Sequence, residues 1–519
     1  MAHAGGLVII HVDGLSYRYL QRALAEGRMP FTQQLMRREG YEASRWRCGS
    51  PSTTPYVQAG LMFGDNRQIP SFRWWDKEAE RLIVFGGLST FKYVSEKYFQ
   101  GSAPLLANGA AIATCYTGEA VETYRLSYLQ RERLRRGDTP TKHHSVRYTI
   151  QHMAASWVMN PGHILDMARV GIVQVWKAYH RHRRTRKRGT RTAAKYLVAH
   201  VLEEIFLQQM TRHATIQAMR ENYPIIYSAF YSYDGIAHAL GPENPFSSRG
   251  LVSIDRAIER IARQRTQQER HYELLILSDH GQSETVPYTE LYERSLGQQL
   301  SEWLPTYAVR EFNGKVFIPP QTAEGRVVVT YSGGVAHIYF PDLPGRLDLA
   351  AVSEQFPGLV EKVAAAPGIE FVMMRDGTRD LLITPSERFD LTGDGASPEK
   401  VNGLLERFDQ PDIIARQLRK LNSFERSGDL IVFGASVSGC QINFENQIGG
   451  HGSIGGEQQF PFLLAKPEWG MDAERVTDAC ELYPQLVRLR DGLVNAPQAI
   501  SSAKDNVHAT PVWTQAASG

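Results

Sequence analysis

The chain has 519 residues, 42% hydrophobic and 22% charged, and its 58 basic and 55 acidic side chains leave a net charge of +3. This excludes a disordered or fibrous protein, and no apolar run approaches the roughly 20 residues of a membrane span. At about 150 residues per domain, the length implies two to four units or one large α/β core carrying insertions.

The N-terminus, MAHAGGLVIIHVDG, lacks a basic n-region and runs straight into an apolar segment, so no signal peptide is expected. Cys48, Cys115, Cys440 and Cys480 are scattered and form no CxxC pair. They suggest neither a disulfide framework nor a zinc knuckle, and a reducing, cytoplasmic setting is expected.

The first apolar run, Leu7–Val12 (LVIIHV), is continuous rather than alternating, the pattern of a strand buried on both faces in a parallel sheet, and it ends in Asp13-Gly14. Residues 49–64 (GSPSTTPYVQAGLMFG) predict a helix from about Pro55, since Pro favours the first helical turn and a Thr directly precedes it. Residues 140–222 are basic and helix-patterned, include the amphipathic run YLVAHVLEEIFLQQM, and read as a helical insertion. Within them, 177–191 (KAYHRHRRTRKRGTR) holds eight Lys/Arg and no acid, which leaves the remainder of the chain net acidic. Such a tract is a solvated surface or a contact for the phosphates of an anionic membrane, with nucleic acid the less favoured partner.

The strand run Ile225–Tyr231 is followed by Asp234-Gly235, and Leu274–Leu277 by Asp279-His280-Gly281. Between them, Leu251, Ile254, Ile258 and Ile261 recur at helical spacing. Residues 296–428 carry strand runs of their own (Val327–Thr330, His337–Phe340, Phe371–Met374) and a helical segment near 348–365, as expected of a small α+β cap. Leu430–Phe433 and Phe460–Leu464 then read as returning core strands, before a tail after about 496. The expected organisation is core 1–139, insertion 140–222, core 223–295, cap 296–428, and core with tail 429–519. Strands alternating with helices make the fold class α/β.

Three strand runs that end in Asp would deliver Asp13, Asp234 and Asp279 to one sheet edge, where ligands collect in open α/β folds. Three carboxylates there repel one another unless cations lie between them. His238 follows Asp234 by four residues, and His280 adjoins Asp279. This mixed Asp/His set suits zinc or manganese better than calcium. A hydroxyl at the start of the 55–63 helix would meet the positive end of its dipole, so Thr54 is either an N-cap or a nucleophile facing an incoming phosphate.

These segments resemble the alkaline phosphatase superfamily and, within it, the type I phosphodiesterase/nucleotide pyrophosphatase branch. The resemblance rests on Asp13, on Thr54 with Gly64, on Asp234-Gly-Ile-Ala-His238-Ala-Leu-Gly-Pro242, on Ser278-Asp279-His280-Gly281 and on Gly449-Gly450-His451-Gly452, in family order. It implies an alkaline-phosphatase-like layered core with a mostly parallel central sheet, and two divalent metal ions, zinc or manganese. One ion would be held by Asp234, His238 and His451, the other by Asp13, Asp279, His280 and the Thr54 oxygen. It further implies hydrolysis of a phosphate-ester small molecule or lipid head group through a threonine phosphoenzyme.

The family's Asn that helps bind a phosphoryl oxygen is replaced: aligned on Asp76, its place falls on Phe72, and neighbouring Arg73 is the substitute candidate. A cation there favours a more highly charged substrate, so a phosphomonoesterase or a metal-dependent phosphomutase on the same core is the alternative. A catalytically weak protein that binds phosphate at a membrane surface is the non-enzymatic one. A sulfatase is disfavoured, because Cys48-Gly-Ser-Pro51 has the wrong spacing and no following Arg. His337 and Glu457 could approach the site, with structural roles favoured for both. Oligomeric state is left open.

Overall fold

A computed structural model describes residues 5–85, 88–99, 103–124, 207–311, 316–317, 322–392 and 403–495. Most of the expected helical insertion, the basic tract 177–191 and the tail after 496 lie outside the described residues; 207–220 are helical, as expected.

The central sheet has seven strands: β1 (Gly6–Val12), β2 (Glu42–Arg45), β3 (Ala110–Ile112), β4 (Glu122–Tyr124), β5 (Ile225–Phe230), β6 (Tyr272–Leu277) and β7 (Phe462–Ala465). Their order is β2-β7-β6-β1-β5-β3-β4. β1 runs parallel to both β5 and β6, and β3 runs parallel to β4 and β5. All seven residues of β1 are buried, as a strand covered on both faces requires. Leu7 and Ile9 enter one core with helix α1 (Thr54–Phe63), while Val8, Ile10 and Val12 enter the other with helix α3 (Pro245–Ala262). The register pairs Val12 with Phe230 and His11 with Leu277, so β1, β5 and β6 end level with one another. The residues that follow them, Asp13, helix α2 (Ser232–Leu240) and Asp279, therefore emerge at one edge.

Helix α1 begins at Thr54, one residue earlier than expected, with Thr53 as N-cap and Pro55 in the first turn. All ten of its residues are buried, which marks a core helix rather than a surface one. It packs against helix α4 (Ala479–Asn495).

The second sheet has eight strands, and it corrects one expectation. Leu430–Gly434 is a strand of this sheet and not of the core, pairing antiparallel with Val335–Tyr339 and Ile369–Asp376. A central antiparallel strand covered on both faces produces the same continuous apolar run as a parallel one. The last core run also differs: β7 starts at Phe462, after Pro461, and joins β6 and β2 antiparallel.

A third sheet stitches the layers together. Ser283–Pro287, immediately after the Asp279-His280-Gly281 turn, pairs parallel with Cys440–Asn443 and antiparallel with Gly449–Gly450. All four cysteines are free. Among the described residues, no helix is long and apolar enough to cross a membrane.

Candidate active site

The structure brings together every sequence-predicted Asp and His. Asp13 follows β1, Asp234 and His238 lie on α2, Asp279 and His280 follow β6, and His451 follows the Gly449–Gly450 strand. Ligand atoms of Asp234, His280 and His451 lie within 4.8 Å of one another, and so do those of His11, Asp13 and Asp279. His238 Nε2 is 3.1 Å from Asp234 Oδ2 and 3.2 Å from His451 Nε2. His280 stands between the groups, its ring stacked 3.8 Å from that of His451 and its Nε2 3.4 Å from both Asp13 Oδ1 and Asp279 Oδ2. Thr54 Oγ1 lies 3.2 Å from His280 Nε2.

Local backbone geometry fixes these rings. His238 Nδ1 meets the Gly449 carbonyl at 2.8 Å, His451 Nδ1 meets that of Ser52 at 2.8 Å, and His280 Nδ1 meets that of Gly281 at 2.9 Å. A carbonyl only accepts, so each Nδ1 carries the proton and each Nε2 faces the carboxylates. Gly449 is required for this approach, since a Cβ there would lie 2.3 Å from the Ala237 carbonyl oxygen on α2. The donor set suits a borderline divalent cation: imidazole Nε2 atoms and carboxylate oxygens, each ring tethered from behind.

Electrostatics points the same way. Burial raises the Asp234 carboxyl, but His238, His451 and His280 together hold it well below the usual carboxylate range. Burial likewise opposes ionisation of Asp279, and His280 and His11 overcome it. Burial pulls His238 down, yet Asp234 pushes it up to about 9, while burial and His280 bring His451 down to about 3. Positive charge among these groups is a requirement of the arrangement, and a proton or a metal ion supplies it.

Of the two threonines, only Thr54 faces the cluster. Thr53 is fully buried, and its hydroxyl has no hydrogen-bond partner among the described residues. Arg73 is half-buried and bonds the Tyr331 carbonyl and Glu445, whose other oxygen accepts the Gly333 N–H at 2.9 Å. Gly333 in turn packs directly on the His451 backbone, so Arg73 reaches the site's margin through Glu445. His337 is buried in the second sheet, where its Nδ1 accepts the Gly428 N–H at 3.0 Å, a structural role. Glu457 sits behind the Asp279 turn, with its carbonyl where a Cβ on Gly281 would go.

Sequence reasoning missed three polar residues here. His11 lies 3.0 Å from Asp279, Gln58 bonds His11 from α1, and Gln282 donates to the Asp234 carboxylate. The available signal was His11 itself, the lone polar residue in LVIIHV and two positions before Asp13, hence on the same strand face. Nothing local marks Gln58 or Gln282.

A sequence profile of the type I phosphodiesterase/nucleotide pyrophosphatase family matches residues 7–341. The chain belongs to that family. The family is one of phosphoric ester hydrolases, and the match includes every candidate site residue except His451, which lies beyond its end. Among solved structures, phosphonoacetate hydrolase from Sinorhizobium meliloti 1021, in complex with phosphonoformate, is 14% identical with a TM-score of 0.50, over 94% of this chain and 96% of that one. Murine ectonucleotide pyrophosphatase/phosphodiesterase 5 is 12% identical with a TM-score of 0.48, over 95% and 97%. The fold is that of alkaline-phosphatase-like enzymes. No curated protein sequence matches the chain.

Proposed function

We propose that this family member is a two-metal-dependent phosphoric ester hydrolase of the phosphodiesterase/nucleotide pyrophosphatase type, acting through a phosphothreonine at Thr54. The observation that carries the reading is the convergence of three carboxylates and three carbonyl-tethered imidazoles around the Thr54 hydroxyl. Asp234, His238 and His451 would hold one divalent ion, zinc or manganese, and Asp13, Asp279 and His280 the other, beside Thr54. When bound, the pair supplies Lewis-acid activation of the nucleophile and charge stabilisation at phosphorus.

Thr54 opens α1, so its oxygen sits at the positive end of the helix dipole, which favours an alkoxide and the oxygens of an arriving phosphoryl group. Attack by Oγ1 on phosphorus expels one ester oxygen as the leaving alcohol, and water then cleaves the bond from the threonine to phosphorus, releasing a phosphomonoester from a diester substrate or phosphate from a monoester. Arg73, held by Glu445, is assigned to a non-bridging phosphoryl oxygen.

The test compares metal-loaded Thr54→Ala and Thr53→Ala on aryl phosphate monoesters and diesters. Thr54→Ala should lose turnover by about 1,000-fold or more, whereas Thr53→Ala should lose roughly tenfold. A working Thr54→Ala would remove the phosphothreonine. The basic tract 177–191 is assigned to an anionic membrane surface. Salt-sensitive sedimentation with anionic vesicles, absent with neutral ones, is the expected result, and no binding to either would refute it.

A further inference from the structure

His11, Asp13 and Asp279 form a buried triad that could itself be taken as three ligands of one cation. The hydrogen bonds behind His11 decide otherwise. The Cys115 backbone N–H donates to Gln58 Oε1 at 2.8 Å, which fixes the orientation of the amide, since an N–H needs an acceptor. The Gln58 NH2 group therefore faces His11 Nδ1, 3.3 Å away, and the Tyr231 hydroxyl, also 3.3 Å away. An amide NH2 only donates, so His11 Nδ1 must accept. The proton of the neutral imidazole is then on Nε2, which lies 3.0 Å from Asp279 Oδ1. Tyr227 and Tyr231 pack edge-on against the ring and hold it in that plane.

The same Asp279 oxygen receives two backbone donors, the His280 N–H at 2.9 Å and the Gly14 N–H at 3.3 Å. Two backbone N–H groups thus bond Oδ1, and His11 Nε2 stands beside it at 3.0 Å. Oδ2 is buried with no hydrogen-bond partner among the described residues, and it faces His280 Nε2. We infer that His11 is a positioning residue for the metal centre. It holds Nε2–H beside Asp279 Oδ1 and so leaves Oδ2 alone to be presented to the cation, while Gln58 locks the tautomer. His11 is therefore not a ligand. The inference rests on the two-metal reading above.

The experiment measures zinc content and affinity of the full chain by equilibrium dialysis against a competing chelator, together with melting temperature and the separate effects on kcat and KM. His11→Phe keeps the ring but removes the donor, and it should weaken one of two zinc ions by about 10- to 100-fold. His11→Gln carries an amide N–H at about the place of Nε2 and should restore the affinity to within about threefold. For both variants kcat should follow zinc occupancy, with KM little changed. Should His11→Phe not fold, His11→Met replaces it, because it removes the same donor with a flexible apolar side chain and should bring the same weakening. Unchanged affinity in the variant that folds overturns the inference. So does a Gln variant as weak as the Phe variant, because that is the behaviour of a lost ligand. A wild-type chain that takes up no zinc overturns the two-metal reading itself.

Discussion

The His337 imidazole is fully buried on Val335–Tyr339, and its Nδ1 accepts the Gly428 N–H. Burial, with Arg346 nearby, lowers it from the ordinary 6.5 to about 3. A histidine kept neutral in the fold contributes stability that is whole above pH of about 6.5 and is lost as pH falls toward 3, at roughly 1.4 kcal/mol per unit. His337→Asn keeps an acceptor and removes the titration, so its melting temperature should fall less steeply than wild type between pH 6 and 4. Parallel curves would mean that the fold accommodates the proton. The residue scale is also where the sequence was most legible. Asp234 with His238, and Asp279 with His280, announce themselves because each pair is local along the chain. His11 and Gln58 do not, because their meeting depends on the strand register and on how α1 seats on the sheet.

Helix α1 carries Thr54 into place and rests on α4, and the closest approach is at Gly60. A Cβ there would lie 2.7 Å from that of Ala479 and 3.0 Å from the Cys480 backbone nitrogen. Gly492, on the exposed side of α4, has nothing within 4 Å. The same substitution should therefore act in opposite directions. Gly60→Ala should destabilise by about 1–3 kcal/mol through overpacking and reduce turnover by shifting Thr54, whereas Gly492→Ala should stabilise by about 0.5–1 kcal/mol. Thermal melting of the two variants checks this, and a stabilised Gly60→Ala would show that the helices part freely. At this scale the apolar runs identified the strands but not their sheets. Leu430–Gly434 looks like a core strand in sequence because burial on both faces leaves the same signature in either sheet.

Across the whole molecule, three carboxylates share one edge, two of them buried, so cations bound there would stabilise the folded chain against a repulsion built into it. An ion present at about 100 times its dissociation constant adds roughly 2.7 kcal/mol per site. Removing divalent ions with a chelator should lower the melting temperature by several degrees, and zinc or manganese should restore it. An indifferent melting temperature would argue that protons alone satisfy the cluster. The eight-stranded second sheet was the least legible part, because its hairpins are local but Leu430–Gly434 enters between Val335–Tyr339 and Ile369–Asp376 from far along the chain, and nothing local states that pairing.

The order of the site residues along the chain has a consequence for biosynthesis. Asp13, Thr54, Asp279 and His280 have all been made once residue 280 leaves the ribosome, and β1 and β6, which present them, are by then complete. The other group holds Asp234 and His238 early but lacks His451 until 171 residues later, after the whole second sheet has been translated. β7, which closes the sheet beside β6, comes later still. A chain emerging N-terminus first can thus assemble one half of the proposed ligand set on the ribosome, while the other half waits for nearly the full length of the protein.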